Sequence, residues 1–156
     1  GDQRALASAR EWLLERGVVV ICTGGGGIPT ILTPDGVLVG VEAVIDKDHA
    51  GSLLARSVGA EVFLMLTDAE AVWDKWGASD ARAIRSASPE AMEGLSFAAG
   101  SMGPKVAAAC EFARATGGRA GIGALEDAVA IIEGRAGTLV STEFDGLEYW
   151  PSLFDR

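Results

Sequence analysis

Short runs of apolar residues alternate with segments of helical spacing along this chain. Val18–Cys22 and Val62–Leu66 are continuous apolar runs, which is typical of strands covered on both faces in a parallel sheet. Ala5–Arg16 has helical spacing and is followed by Gly17, where a C′ glycine would end the helix. Lys105–Thr116 has one apolar helical face. This alternation predicts an α/β fold, a three-layer sandwich with a mainly parallel central sheet.

Turn and capping signals predict the elements between these runs. In chain order they are a hairpin at Pro34-Asp35-Gly36 between Ile28–Leu32 and Val37–Val41, a helix over His49–Val58 with Asp48 as N-cap, a helix starting at Ser88-Pro89, a strand at Ala120–Ile122, a helix over Leu125–Glu133 and a strand at Thr138–Val140. Asp74–Ser86 has no clear period and is predicted to be an irregular surface loop.

Three glycine-rich or polar loops follow the predicted strands. They are Thr23–Pro29, Thr67–Trp73 and Gly100–Lys105. Open α/β sheets bind ligands beyond the carboxyl ends of their strands, so we expect the functional residues in these loops.

The charge of the chain argues against a nucleic-acid or membrane partner. Lys and Arg total 13 against 22 Asp and Glu, which gives a formal net charge of −9. A chain of this charge lacks the basic footprint of proteins that bind nucleic acid or anionic lipid. No run approaches the roughly 18 apolar residues of a membrane span. We therefore expect small-molecule partners, with any anionic ligand held by local groups.

Cysteine and histidine usage narrows the chemistry further. Cys22 and Cys110 belong to no CxxC pair, so they are predicted to be buried free thiols in a reducing cytoplasm. His49 is the only histidine, which excludes Ser-His-Asp and Cys-His catalysis within one chain and any zinc site needing two imidazoles. The chain starts at Gly1 without a signal-peptide pattern, so we expect it to begin inside a larger gene product.

Four consecutive glycines, Gly24–Gly27, follow the first predicted strand. They fail the dinucleotide GxGxxG test because Pro29 stands at the third glycine position, and the chain has no Walker A motif. A backbone without side chains can approach a small anion closely and offer it N–H groups. Because four glycines cost much conformational entropy, a functional loop is favoured over a flexible turn.

Two lysines are candidates for phosphate contacts. Asp46-Lys47-Asp48 stands at a predicted loop–helix junction, where Asp48 is either a plain N-cap or an acidic group that keeps neighbouring lysines charged and aimed. Lys105 stands at a helix start, a position that opposes the helix dipole unless an anion binds there. The sequence leaves both interpretations of Asp48 open.

The Thr67–Trp73 loop offers candidates for a nucleoside pocket. Asp68 could contact a ribose hydroxyl or a capping donor, and Trp73 could form the wall of a base pocket. For a single tryptophan, however, plain packing is the commoner role. Trp12, Trp76 and Trp150 need no ligand either.

Taken together, these loops resemble the carbamate kinases of the amino acid kinase family. The segments that carry the resemblance are Val18–Pro29 (VVVICTGGGGIP), Gly40–Ala50 (GVEAVIDKDHA), Leu64–Trp73 (LMLTDAEAVW), Phe97–Val106 (FAAGSMGPKV) and Gly117–Ala128 (GGRAGIGALEDA). The resemblance extends over about Ala5 to Val140, so the domain is expected to end at residue 140, before an aromatic tail over 141–156.

The resemblance implies reversible phosphoryl transfer between ATP and carbamate, with ATP or ADP and Mg²⁺ as cofactors. Lys47 and Lys105 would contact the transferring phosphoryl group and the β-phosphate, and Asp48 would orient them. The substrate-binding residues would be Gly24, Gly25, Gly26 and Gly27. The nucleotide-binding residues would be Asp68, Trp73, Met102 and Gly103. Such chemistry needs cations and N–H donors rather than a nucleophilic side chain.

The resemblance also implies that part of the family's pattern is missing. Members begin with a strand and a glycine-rich GGNA-type loop that this chain lacks, so we expect the activity to be incomplete in this chain alone. Alternatives are a non-catalytic nucleotide-binding or regulatory module and another family member. We expect a homo-oligomer, at least a dimer, or a complementing N-terminal half, unless the aromatic tail Phe144–Phe154 caps the exposed surface.

Overall fold

The computed structural model describes residues 12–22 and 28–151. The helices of this part are α1 (Lys47–Ser57), α2 (Pro89–Glu93), α3 (Met102–Thr116) and α4 (Ala128–Ile132), with a 3₁₀ turn at Leu125–Asp127. The strands are β1 (Thr30–Leu32), β2 (Leu38–Gly40), β3 (Val62–Thr67), β4 (Trp73–Asp74), β5 (Arg82–Ala87), β6 (Arg119–Ala124), β7 (Thr138–Val140) and β8 (Leu147–Tyr149). No helix among these residues is long and apolar enough to cross a membrane.

Six strands form one sheet in the order β3-β6-β7-β5-β4, and β8 pairs with β5. The predicted α/β class is confirmed, but the sheet is mixed rather than mainly parallel. β3 runs parallel to β6, and β5 parallel to β7. The β6–β7, β4–β5 and β5–β8 pairs are antiparallel.

The reversal between β6 and β7 has a geometric cause. A parallel crossover needs an element that returns the chain along the whole strand. The five residues of α4 rise about 8 Å, whereas a six-residue strand such as β6 spans about 20 Å. The short helix alone does not span the strand, and β7 runs antiparallel to β6.

The predicted irregular loop at Asp74–Ser86 is wrong, because this segment contains β4, a turn and the inner strand β5. The sequence of β5, RAIRSA, places its two arginines three residues apart rather than two, which hides the period of a strand. The guanidinium of Arg82 lies 3.9 Å over the Tyr149 ring, and that of Arg85 lies 5.1 Å over Trp150. The arginines therefore cover aromatic side chains of the carboxyl-terminal segment.

The core lies between the sheet and α2–α3. Phe112 of α3 is fully buried and packs at 5.5 Å against Phe63 of β3, while Ile84 and Ile122 are buried on the central strands. On the other side of β6, the side chains of Ile131 and Leu64 pack against Gly121. A Cβ on Gly121 would lie 2.6 Å from both of them, so this packing needs a glycine. The predicted end of α3 is confirmed, since Gly117 follows it with a φ of 70°.

The predicted buried strand at Val18–Cys22 is wrong for this structure. These residues pair with no strand among the described residues, and Val19 and Ile21 are 90% and 96% exposed. The β1–β2 hairpin, whose predicted turn is confirmed, also stands apart from the main sheet. The apolar side chains of Val18–Cys22 are exposed because no element in the described part of the chain packs on them.

Candidate active site

A cavity of about 650 Å³ lies where β3 ends and where α1 and α3 begin. Thr67 and Asp68 form its floor at the carboxyl end of β3. The first turns of both helices form one wall, and the hairpin that leads from β4 to β5 forms the other. Two helix N-termini, each the positive end of a helix dipole, therefore point at one cavity and favour an anionic ligand.

The first turn of α1 is organised by Asp46 rather than by Asp48. The Asp46 carboxylate accepts hydrogen bonds from the backbone N–H groups of Asp48 at 2.9 Å and His49 at 3.1 Å. The predicted N-cap at Asp48 is therefore wrong by two residues. The His49 N–H bond lowers the pKa of Asp46. The cap leaves the Asp48 side chain available for other contacts.

Asp48 instead joins two lysines. Its Oδ2 atom accepts from Lys105 Nζ at 2.9 Å and from Lys47 Nζ at 3.3 Å. The Asp48 and Lys105 side chains are only 10% and 12% exposed, whereas that of Lys47 is 62% exposed. The hydrogen bond to Asp48 raises the pKa of Lys47. The arrangement holds two ammonium groups against one carboxylate and leaves further N–H donors of each available.

The start of α3 brings Lys105 to this position. Ser101 is the N-cap residue but makes no side-chain capping bond within the described part of the chain. Gly103 N–H donates to Ala98 O at 2.9 Å, and a Cβ on Gly103 would lie 3.1 Å from that oxygen. Gly103 thus allows a tight turn but does not line the cavity, whereas Met102 does.

The predicted residues Asp68 and Trp73 also line the cavity, together with two residues that sequence reasoning missed. Thr67 Oγ1 donates to Asp68 Oδ1 at 3.0 Å. Trp76 meets Trp73 edge-on with ring centroids 5.6 Å apart, and Lys75 also lines the cavity. The sequence signal for Trp76 is its short spacing from Trp73, because a hairpin turn can place both rings on the same side.

The predicted glycines Gly24–Gly27 lie outside the residues that the structure describes. The described ranges contain no group of three acidic, His or Cys side chains able to hold a metal ion. The structure thus brings together Lys47, Asp48 and Lys105 on one wall. It places Asp68, Trp73 and Met102 around the same cavity.

The sequence of this α/β chain matches the amino acid kinase family over residues 3–123. The chain belongs to that family. It is 51% identical over 140 residues to the carbamate kinase of Haemophilus influenzae, which covers 90% of this chain and 45% of that relative. It is 49% identical over 141 residues to the carbamate kinase of Rhizobium meliloti, covering 89% and 44% respectively.

Solved structures agree with the sequence comparison. Carbamate kinase from Giardia lamblia bound to AMP-PNP superposes with a TM-score of 0.81 at 40% identity, over 86% of this chain and 48% of that one. UMP kinase from Bacillus anthracis, at 13% identity and a TM-score of 0.62, shares the fold. The chain spans about half the length of the curated relatives it matches.

Proposed function

We propose that this chain is the nucleotide-binding part of a carbamate kinase-type phosphotransferase, which transfers a phosphoryl group reversibly between ATP and carbamate. The observation that supports the proposal most strongly is the cluster of Lys47, Asp48 and Lys105 in the first turns of α1 and α3. The identity of about 50% to carbamate kinases and the likeness to one bound to AMP-PNP support it.

The two lysines have different environments and therefore different proposed roles. Lys105 is held by Asp48 and mostly buried, so it is a fixed cation for the β-phosphate. Lys47 is exposed and bonded to the same carboxylate at a longer distance, so it can follow the phosphoryl group during transfer. Charge spreads over the equatorial oxygens of that group, and positioned cations stabilise it without a covalent step.

The rest of the cavity suits a nucleoside. Trp73 and Trp76 offer aromatic surface to the base, and Asp68 offers a carboxylate to the ribose hydroxyls. Gly24–Gly27 are proposed to bind carbamate, as the motif position implies. Mg²⁺ is proposed to arrive with the nucleotide, ligated by its phosphate oxygens.

We further propose that the activity needs the part of the enzyme corresponding to the other half of the relatives' length, whether it is joined to this chain or supplied by a second one. β3 has no neighbour on its outer side among the described strands. In the part of the chain before β3, Val19, Ile21, Ile28 and Val44 are 90%, 96%, 86% and 98% exposed. An open strand edge with uncovered apolar residues invites pairing.

The described part of the aromatic tail, up to residue 151, pairs elsewhere in the sheet. β8 pairs with β5, at the opposite end of the sheet from β3. Tail deletion should therefore leave the association of the chain unchanged, and light scattering of the purified chain should show at least a dimer. A monomer with the full apolar run exposed would contradict the proposed interface.

A coupled assay for ATP formation from carbamoyl phosphate and ADP tests the proposed activity. We expect no turnover by the chain alone, and turnover when the unmatched part of the Haemophilus influenzae relative is added. Turnover by the chain alone would contradict the need for a second part. Binding without turnover in both mixtures would instead support a nucleotide-binding module without catalysis.

A further inference from the structure

The hairpin from β4 to β5 contributes Trp73 and Trp76 to the lining of the cavity, and its strands pair over only two residues. β4 has two residues, paired as Trp73↔Ala83 and Asp74↔Arg82. The turn that follows contains Lys75 with a φ of 54°, the only positive φ at a non-glycine residue in the described part of the chain. A side chain holds that conformation only when its surroundings fix it.

A carboxyl-terminal residue contacts the same hairpin one position before Lys75. The Tyr149 hydroxyl on β8 donates to Asp74 Oδ2 at 3.0 Å, across 75 positions of sequence. Asp74 stands between Trp73 and Lys75, both of which line the cavity. The bond therefore joins β8 to the hairpin residue between two residues that line the cavity.

Tyr149 is itself held on several sides. The Arg82 guanidinium lies 3.9 Å over its ring. Its neighbour Trp150 donates from its backbone N–H to Ala83 O at 2.9 Å, and from Nε1 to Gly137 O at 2.8 Å. Burial, followed by the hydrogen bond to Asp74, raises the pKa of Tyr149, so its hydroxyl remains a donor at neutral pH.

We infer that Tyr149 is a positioning residue for nucleotide binding, which holds the Trp73–Trp76 wall in place through Asp74. The inference rests on the proposed function, because it takes the occupant of the cavity to be a nucleotide. Tyr149 does not line the cavity, so its effect on the ligand passes through the hairpin.

Titration of AMP-PNP by calorimetry into the parent chain, Tyr149→Phe and Asp74→Ala tests this inference. Loss of one hydrogen bond should weaken AMP-PNP binding about three- to tenfold in each variant. The double variant should bind no more weakly than either single one, because both remove the same bond. Amide hydrogen exchange over residues 73–82 should become faster in each variant without nucleotide.

Glu148→Gln is the matched control. Glu148 is the neighbour of Tyr149 on β8, but its carboxylate accepts from Arg85 and Ser86 instead of the hairpin turn. This variant should bind AMP-PNP within about twofold of the parent, and Asp74→Asn, which retains an acceptor for the hydroxyl, should do the same.

Two failures are distinguishable. If the parent chain binds AMP-PNP and Tyr149→Phe binds it equally well with unchanged exchange at 73–82, the inference is overturned and the proposed function stands. If the parent does not bind AMP-PNP, the proposed function is overturned and the inference with it. Additive losses in the double variant also overturn the inference.

Discussion

Lys105 Nζ lies 2.9 Å from Asp48 Oδ2, so a single ion pair joins the first turns of α3 and α1. These residues are 57 positions apart in the sequence. Asp48 occupies the first turn of its helix, where a negative charge is favourable. Lys105 occupies the first turn of α3, where a positive charge is unfavourable without an anion. The pair with Asp48 offsets the unfavourable position of Lys105.

Substitution of Asp46 tests its role as the N-cap of α1. Because Asp46 accepts both capping bonds, Asp46→Ala should lower the free energy of unfolding by about 1 kcal/mol, and Asp46→Asn should lower it by much less. Urea denaturation measures both. Equal stability of the Asp46→Ala variant and the parent would place the cap elsewhere.

Asp48→Asn should cut phosphoryl transfer in the assembled enzyme by about a hundredfold or more, because the neutral amide no longer orients two ammonium groups. The cap on Asp46 remains, so α1 should stay formed. Steady-state kinetics and far-UV circular dichroism check the two parts. A variant with parental kcat would limit Asp48 to a structural role.

Lys105→Ala and Lys47→Ala should differ in their effects. Loss of Lys105, a charged and mostly buried donor, should weaken nucleotide binding by about 2 kcal/mol. Lys47→Ala should change stability by less than about 0.5 kcal/mol, since its side chain is exposed, and should mainly lower kcat. Calorimetry, denaturation and the coupled assay measure these effects, and equal nucleotide affinity of Lys105→Ala and the parent would refute the anion site.

Cys110 should be unreactive in the folded chain. Burial raises the pKa of its thiol to about 11, so at pH 7.5 almost none is thiolate. In a Cys22→Ser variant, iodoacetamide should label Cys110 slowly until denaturant is added, and the labelling rate should rise as pH approaches 11. Rapid labelling at neutral pH would contradict its position in the core.

Local signals in the sequence predicted many elements, because caps and turns act over a few residues. Gly117 ends α3 and Ser88 begins α2, where its side chain accepts from Ala91 N–H. Position-by-position spacing failed for β5, whose arginines pack on Tyr149 and Trp150 from far along the chain. Such long-range contacts leave no local period.

The residue types of the candidate site and the contact of Asp48 with both lysines could be expected from the sequence, but the residue that caps α1 could not. The charged triplet Asp46-Lys47-Asp48 and Lys105 indicated a phosphate site. Asp46 rather than Asp48 caps α1 because the helix begins two residues earlier than predicted. Sequence patterns define the ends of a helix only to within one or two residues. Lys75 and Trp76 join the site only through a turn with positive φ.

Titration of AMP-PNP into the purified chain, without a complementing part, tests the central claim most directly. The described residues alone enclose the cavity of Lys47, Asp48 and Lys105, so we expect saturable binding of one AMP-PNP per chain, weakened at least tenfold in Lys105→Ala. Absence of binding at millimolar AMP-PNP by the folded parent chain would contradict the account.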